Sequence, residues 1–316
     1  MFETVKQRII DRLGVSRIAG QADRLDAEVG GLRTTQAALL DEAGALRHEL
    51  SELTRRVGAA EADAAWGRLA TASAWSQAAP LRHTPTISVV LATRDRAALL
   101  PAAVESVLAQ SYPHWQLVVA DDGSTDGTAE LLAGYDDPRV VVRRTEGVGA
   151  AAARNVALDG ATGDYVTFLD DDNVMAAGWL RAVAEYTGRH PSCELLYGAQ
   201  IREVEPGETA PWHSVAGLQL LFVEPYDDRR MRLDNYIDLG VVAVRRTLPG
   251  LRFDETLDVF IDWELIVRLA ATTPPQSLPV IASIYRTGAA GRITASPHKE
   301  QRLAELRRRF AAAGDE

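Results

Sequence analysis

The stretch Gly163-Asp164-Tyr165-Val166-Thr167-Phe168-Leu169-Asp170-Asp171-Asp172-Asn173 sets an apolar run directly against three consecutive carboxylates. Tyr, Val, Thr and Phe favour a strand, and a run this apolar fits one covered on both faces. With an unperturbed pKa of ~3.9, Asp170, Asp171 and Asp172 all carry charge at neutral pH and repel one another. A buried strand that ends this way calls for positive charge at its tip.

The same pattern recurs outward from that stretch. ISVVLA (87–92), WQLVVA (115–120), RVVVR (139–143) and DYVTFL (164–169) read as strands, with helices expected over 96–110, 126–134, 149–160 and 176–189. Alternation at this spacing predicts an α/β fold with a mostly parallel sheet flanked by helices. Such sheets bind ligands at the carboxyl ends of their strands. The first strand runs into Thr93-Arg94-Asp95-Arg96 and the second into DDGSTDG (121–127), so three of the four end in polar clusters. Each cluster alone is explained by helix caps or turns. Three on one sheet edge point to a site.

Two motif matches fail on their own terms. Asp122-x-Ser124-x-Asp126-Gly127 imitates a calcium loop, but its twelfth position is Ala133, where a bidentate Glu belongs. Gly147-x-Gly149-x-x-Ala152 imitates a dinucleotide fingerprint, but it follows the third strand and the polar Arg143-Arg144-Thr145-Glu146.

Residues 1–80 obey a different rule. Leu25, Leu32, Leu39, Leu46 and Leu53 recur every seven residues, with Val29, Gln36, Ala43, Leu50 and Val57 four positions after each. That is a heptad helix with leucine at d and a mixed a column, interrupted by Gly30-Gly31. It packs either on its own chain or on a second copy; we expect a homo-oligomer through residues 18–60. Pro80 and Pro85 end the helical pattern. The expected organisation is therefore a helical coiled-coil segment over 1–80, an α/β domain over 85–290 split into halves at 189/190, and a C-terminal helix over 291–316.

Composition sets outer limits. A formal net charge of -10, with 47% hydrophobic and 25% charged residues, describes an ordinary globular chain and argues against a nucleic-acid partner. The single cysteine, Cys193, permits no internal disulfide and no CxxC metal site. No run is long and apolar enough for a transmembrane span, and MFETVKQRIIDRL lacks the features of a signal peptide. A cytoplasmic location is the expectation, with peripheral contact at the inner membrane face open to the amphipathic first segment.

ISVVLATRDRAALLPAAVESVLAQSY, LVVADDGSTDGT, GVGAAAARNVAL and GDYVTFLDDDN, in this order, resemble the family 2 glycosyltransferases of the GT-A (Rossmann-like) fold. The resemblance is close over 86–189 and looser to about 287. It implies transfer of a sugar from a nucleotide-diphosphate donor with inversion at the anomeric carbon. It also implies that Thr93, Arg94 and Asp95 lie along the nucleotide and that Asp122 recognises the base. Arg154 then approaches the nucleotide, Asp170 and Asp171 lie beside it, and Asp170 and Asp172 form the outer members of a DxD motif at the metal. Carboxylate oxygens favour Mn2+ or Mg2+, held jointly with the diphosphate. UDP or TDP donors suit Asp122 better than GDP.

An inverting transfer also needs a base for the incoming hydroxyl. FDETLDVFIDWEL (253–265) resembles the family stretch that supplies it, which aligns Asp262 with the base; Ile261 replaces a common glutamate there. Asp262 and Glu264 also suit the first turn of a helix for dipole reasons alone. Trp212, Asn235, Tyr236 and Trp263 are candidate acceptor contacts, with His213 beside them, and His298 is a candidate third metal ligand. The acceptor hydroxyl is expected on a glycan, a lipid-linked sugar, a protein or a natural product. The rivals are a sugar nucleotidyltransferase, which would want a glycine- and lysine-rich loop where TRDRAALL stands, and a coiled-coil scaffold with an inactive nucleotide domain.

Overall fold

The structure is a computed structural model that describes residues 15–203, 214–215, 218–221, 225–286 and 299–312. The chain divides into two compact units, Met1–Ala60 and Glu61–Glu316.

Helix α1 spans Val15–Ala78, continuing through Gly30 and Gly31. Thr34 and Thr35 donate their hydroxyls to the carbonyls of Gly30 and Gly31 at 3.0 Å, which covers the backbone that glycine leaves bare. Within the second unit, the last turns of α1 change character. Leu69 is 1% exposed and packs with Ala199 and Leu220, flanked by Ala65 and Trp66. Residues 61–78 of the helix thus pack as part of the second unit, and Arg181 donates to the carbonyls of Gln77 and Ala79 where the helix stops.

The core of that unit is a sheet whose first four strands are β1 (Ile87–Thr93), β2 (Trp115–Asp121), β3 (Val140–Arg144) and β4 (Tyr165–Phe168). They pair in the order β3-β2-β1-β4, all parallel. Helices α2 (Leu100–Leu108), α3 (Thr128–Ala133) and α4 (Ala150–Asp159) provide the crossovers, and α5 (Trp179–Arg189) follows. Because helices cover both faces, β1, β2 and β4 are almost wholly buried; β3, at the edge, exposes Arg143 and Arg144 instead. The chain reverses its direction of travel across the sheet between β1 and β4, and the carboxyl end of that junction is where open α/β sheets open a crevice.

The second half of the sheet is mixed. It adds β5 (Val174–Met175), β6 (Leu195–Glu203), β7 (Ser214–Val215), β8 (Leu218–Leu221), β9 (Val242–Arg245) and β10 (Gln276–Tyr285). The order continues from β4 as β9-β6-β10-β5; β9 is antiparallel to both β4 and β6, while β10 runs parallel to β6. Gly198 on β6 is required by packing: a Cβ there would sit 2.8 Å from the Trp179 ring. That buried indole donates to the Thr167 hydroxyl, which in turn donates to the Val242 carbonyl, so α5, β4 and β9 are tied through one polar chain. Helices α6 (Asp228–Leu233), α7 (Ile261–Ala270) and α8 (Lys299–Ala312) complete the unit. Among the described residues, no helix is long and apolar enough to cross a membrane.

Candidate active site

Register brings the strand-end clusters together. Thr93 at the end of β1 lies opposite Asp121 on β2, and β4 lies on the other side of β1 with Phe168 opposite Val90, so its acidic extension runs out alongside Thr93. The loops after β1 and β2 then brace each other. The Asp95 amide donates to the Ser124 hydroxyl, Thr125 N–H donates to Asp95 Oδ1 at 2.7 Å, and Ala97 N–H donates to Asp126. Asp95 therefore acts as a loop staple with its backbone at φ 52°, and it is not on the cavity wall.

Asp122 performs a similar service one loop further. Its Oδ1 accepts from the Thr145 hydroxyl (2.6 Å) and Val148 N–H (2.7 Å), and its Oδ2 from Gly149 N–H (2.9 Å). Burial works against its charge, but the bonds from Thr145, Gly149 and Val148 outweigh it and hold the carboxyl below the usual range. This loop turns through Gly147 and Gly149, both at positive φ, where a Cβ would cost strain. It delivers α4, and with α4 Arg154.

The result is a cavity of about 840 Å³. Thr93, Arg94, Asp122, Arg154, Asp170, Asp171 and Asp172 form one side; Asn235, Asp238 and the segment Glu255–Asp262 form another. Its wall carries eight carboxylates against four cationic side chains, Arg94, Arg96, Arg154 and Lys299. The Arg154 guanidinium lies 2.6 Å from Asp170 Oδ1, and Arg96 lies 3.8 Å from Asp171. Burial, reinforced by Asp170 and Asp172, pushes Asp171 up to about 6. The Thr93 hydroxyl is turned toward Asp171 but makes no well-formed hydrogen bond.

Asp262 occupies the first turn of α7, which starts directly after Phe260, a non-glycine residue at φ 58°. Its Oδ2 accepts from the Asn235 amide at 3.0 Å, and burial, with Asp170 nearby, raises its pKa despite that bond. The Asn235 oxygen is buried without a partner among the described residues, on a residue that lines the cavity.

The structure separates the other acceptor candidates. Trp263 is 2% exposed; its indole donates to the Met231 carbonyl and its ring packs edge-on against Phe260 and Phe310, so it belongs to the core. One step past Asp262 the side chain is turned about 100° round α7, off the cavity and into the core. Tyr236 donates to the Asp227 carbonyl and does not line the cavity. Trp212, His213 and His298 lie outside the described residues.

Two residues of the cavity wall and one that braces it escaped the sequence reading. Asp238 sits in the apolar run IDLGVVAV and accepts from Gly240 N–H; burial, with Asp170 and Asp262 near, pushes it up to about 7. An acid inside an apolar stretch was the available signal. Asn155, 1% exposed on α4, donates to the Phe253 carbonyl and the Glu255 carboxylate and accepts from Phe253 N–H, so it fixes the loop that forms one wall. Lys299 arrives from α8 and gave no local signal.

The family model for glycosyl transferase family 2 matches residues 88–241, the span that carries all three strand-end clusters. This domain belongs to glycosyl transferase family 2. The family 2 domain is 46% identical over 92 residues to the putative teichuronic acid biosynthesis glycosyltransferase TuaG of Bacillus subtilis, which covers 28% of this chain and 36% of that one. Across TuaG and two further curated relatives, the chain spans only 22% to 46% of their length. Among solved structures, residues 1–349 of S. aureus TarS, in complex with UDP-GlcNAc, align with a TM-score of 0.57 at 20% identity, covering 72% of this chain and 66% of that one. The mannosyltransferase PcManGT from Pyrobaculum calidifontis, in complex with GDP-Man and Mn2+, aligns at 0.51 and 16% identity over 82% and 75%. These likenesses establish the GT-A fold.

Whether the family 2 site suits a divalent cation is answered by its donor set. Among the described residues no three His, Cys, Asp or Glu side chains form a preformed cage. Asp170 and Asp172 do offer two carboxylates on one loop, in a cavity with a surplus of negative charge. Mg2+ and Mn2+ accept that arrangement, since phosphates and water fill the remaining positions. The residues fit.

Proposed function

We propose that the protein is a metal-dependent inverting glycosyltransferase that moves a sugar from a nucleotide-diphosphate donor, UDP- or TDP-linked, to a hydroxyl acceptor. The observation that carries this reading is the two-sided cavity: a nucleotide wall ending in Asp170–Asp172, and Asp262 on the wall built from α7. The acceptor is a glycan, a lipid-linked sugar, a protein or a natural product; the relative TuaG, named for teichuronic acid biosynthesis, favours a glycan. α1 serves the enzyme as an oligomerisation element.

The bond inventory of Asp122 supports the donor preference. A carboxylate offers about four lone-pair directions, and here Oδ1 has two donors while Oδ2 has one. One direction is left, enough for the single imide N–H of uracil or thymine. Guanine presents two adjacent donors and would want both oxygens.

In the transfer, Asp262 takes the proton of the acceptor hydroxyl as that oxygen bonds to the anomeric carbon and the bond to the diphosphate breaks. A raised pKa makes Asp262 a better base, and the Asn235 bond keeps it ionised and oriented. Arg154 offsets the charge of Asp170. Mn2+ or Mg2+ on Asp170 and Asp172 would supply Lewis-acid stabilisation of the departing diphosphate.

The deciding measurement is a panel of nucleotide sugars assayed for slow hydrolysis without acceptor, beside thermal shifts with UDP, TDP and GDP in Mn2+. One uridine or thymidine donor should be turned over and should stabilise the protein. No shift with any of the three would refute the donor site.

A further inference from the structure

The heptad segment of α1 presents an apolar stripe to solvent. Val29 is 44% exposed, Leu32 69%, Leu39 60%, Leu46 59% and Leu53 48%. These positions lie on one helix face, the a/d seam of the heptad. The glycines lie elsewhere: Gly30 and Gly44 fall at b and Gly31 at c, and a Cβ added at any of them meets nothing within 4 Å. A helix that carries three glycines on its outer face and leucines along a bare seam is poorly stabilised alone. Something covers that seam.

We infer that residues 22–57 pair with the same residues of a second copy as a parallel, in-register, two-stranded coiled coil. The flanking charges identify the occupant and its direction. The g positions are Glu28, Thr35, Glu42, Glu49 and Arg56; the e positions are Asp26, Arg33, Leu40, Arg47 and Thr54. In a parallel pair each g residue meets the e residue five positions on in the partner. That sets Glu28 against Arg33, Glu42 against Arg47, Thr35 against Leu40 and Glu49 against Thr54, with no like-charge pair. In an antiparallel pair g meets g and e meets e. In the full-length antiparallel register Glu42 would then face its own copy and Arg33 would face Arg47, with Glu28 and Arg56 the one opposite-charge pair. Of the two directions, the parallel one alone leaves no like-charge pair.

The seam sets the strand number. Leucine at every d with Val29 and Val57 in the a column favours two strands. Gln36, the one polar a residue, meets its own copy only in the parallel, unshifted register, where the two amides can bond to each other; a shift of one heptad sets it against Val29 or Ala43. Parallel pairing also means that both chains leave the coiled coil at the same end.

The test uses the full chain. Its mass in solution should be that of two chains of 34.3 kDa. Leu32→Cys and Leu46→Cys, made separately, should each give a disulfide-linked dimer under mild oxidation, because a parallel register sets every d residue opposite itself. An antiparallel pair can do that at one position at most, so self-linking by only one of the two variants overturns the direction. The native chain is the control, since its sole cysteine, Cys193, is buried. Arg33→Glu with Arg47→Glu should weaken the dimer at least tenfold, and adding Glu28→Arg with Glu42→Arg should restore it. A monomer, or a mass of three or more chains, overturns the pairing. The double variant Leu32→Glu, Leu46→Glu should be monomeric with the unfolding temperature of the second unit unchanged.

Discussion

The Asn235 amide donates to Asp262 Oδ2 at 3.0 Å, beside the Trp263 backbone N–H that the same carboxylate accepts, on a residue that lines the cavity. This bond favours the ionised form of Asp262 against the burial that raises its pKa. Asn235→Ala should therefore raise that pKa further and move the acidic limb of the kcat/KM profile to higher pH. The loss at neutral pH should be about tenfold, consistent with one hydrogen bond to a charged group at roughly 1.5 kcal/mol. An unmoved acidic limb would mean that Asp262 is not the titrating base.

Asp262→Asn should leave donor binding intact while transfer falls by about 10²–10⁴, the usual contribution of a general base. Isothermal titration with the nucleoside diphosphate and a transfer assay separate the two effects. Equal loss in both would reassign Asp262 to the capping role that its place in the first turn of α7 also permits.

The DxD carboxylates should divide by function. Asp172→Asn should abolish the part of the thermal stabilisation by UDP that depends on Mn2+. Arg154→Met and Asp170→Asn, combined in a double-mutant cycle, should couple by about 1–3 kcal/mol in unfolding free energy, since they share a half-buried contact at 2.6 Å.

Asp171 supplies a pH test. Its folded pKa, pushed up to about 6, lies above the ~3.9 of an unfolded chain. The folded state then binds more protons than the unfolded one across that window, so this contribution is present at pH 4 and fades as pH rises through 6. Asp171→Asn should remove it and gain roughly 1–2 kcal/mol over the native chain at pH 7, with no gain at pH 4. Thermal melts of both proteins across pH 4–7.5, without metal or nucleotide, check the sign.

Asn155→Ala should destabilise the protein by about 2–4 kcal/mol, because it strands the Phe253 N–H and carbonyl in a buried place. Asn155→Asp should do no better, since a carboxylate cannot donate and would face Glu255. A shift in melting temperature under one degree would show that the loop is held by other means.

The amino-acid sequence alone determined the local elements and where they end. Runs such as ISVVLA and DYVTFL leave no other way to bury their apolar side chains, and their tips at Thr93, Asp122 and Asp170–Asp172 could be read as one sheet edge because parallel strands share a direction. Its heptad period marked the a/d seam of α1, while Asp262 was marked by resemblance to the family stretch around it. Tertiary structure decided which polar residues converge. Asp95 and Asp122 spend most or all of their hydrogen-bonding capacity on neighbouring loops, a fact of loop packing that no local pattern encodes. Trp263 joined the core because α7 turns it toward Phe310, Asp238 and Lys299 reached the cavity from distant parts of the chain, and Asn155 braces one of its walls from α4. Local sequence fixes the period and polarity of a segment. Which side chains meet depends on strand register and crossovers between residues far apart in the chain, set by the packing of the whole sheet.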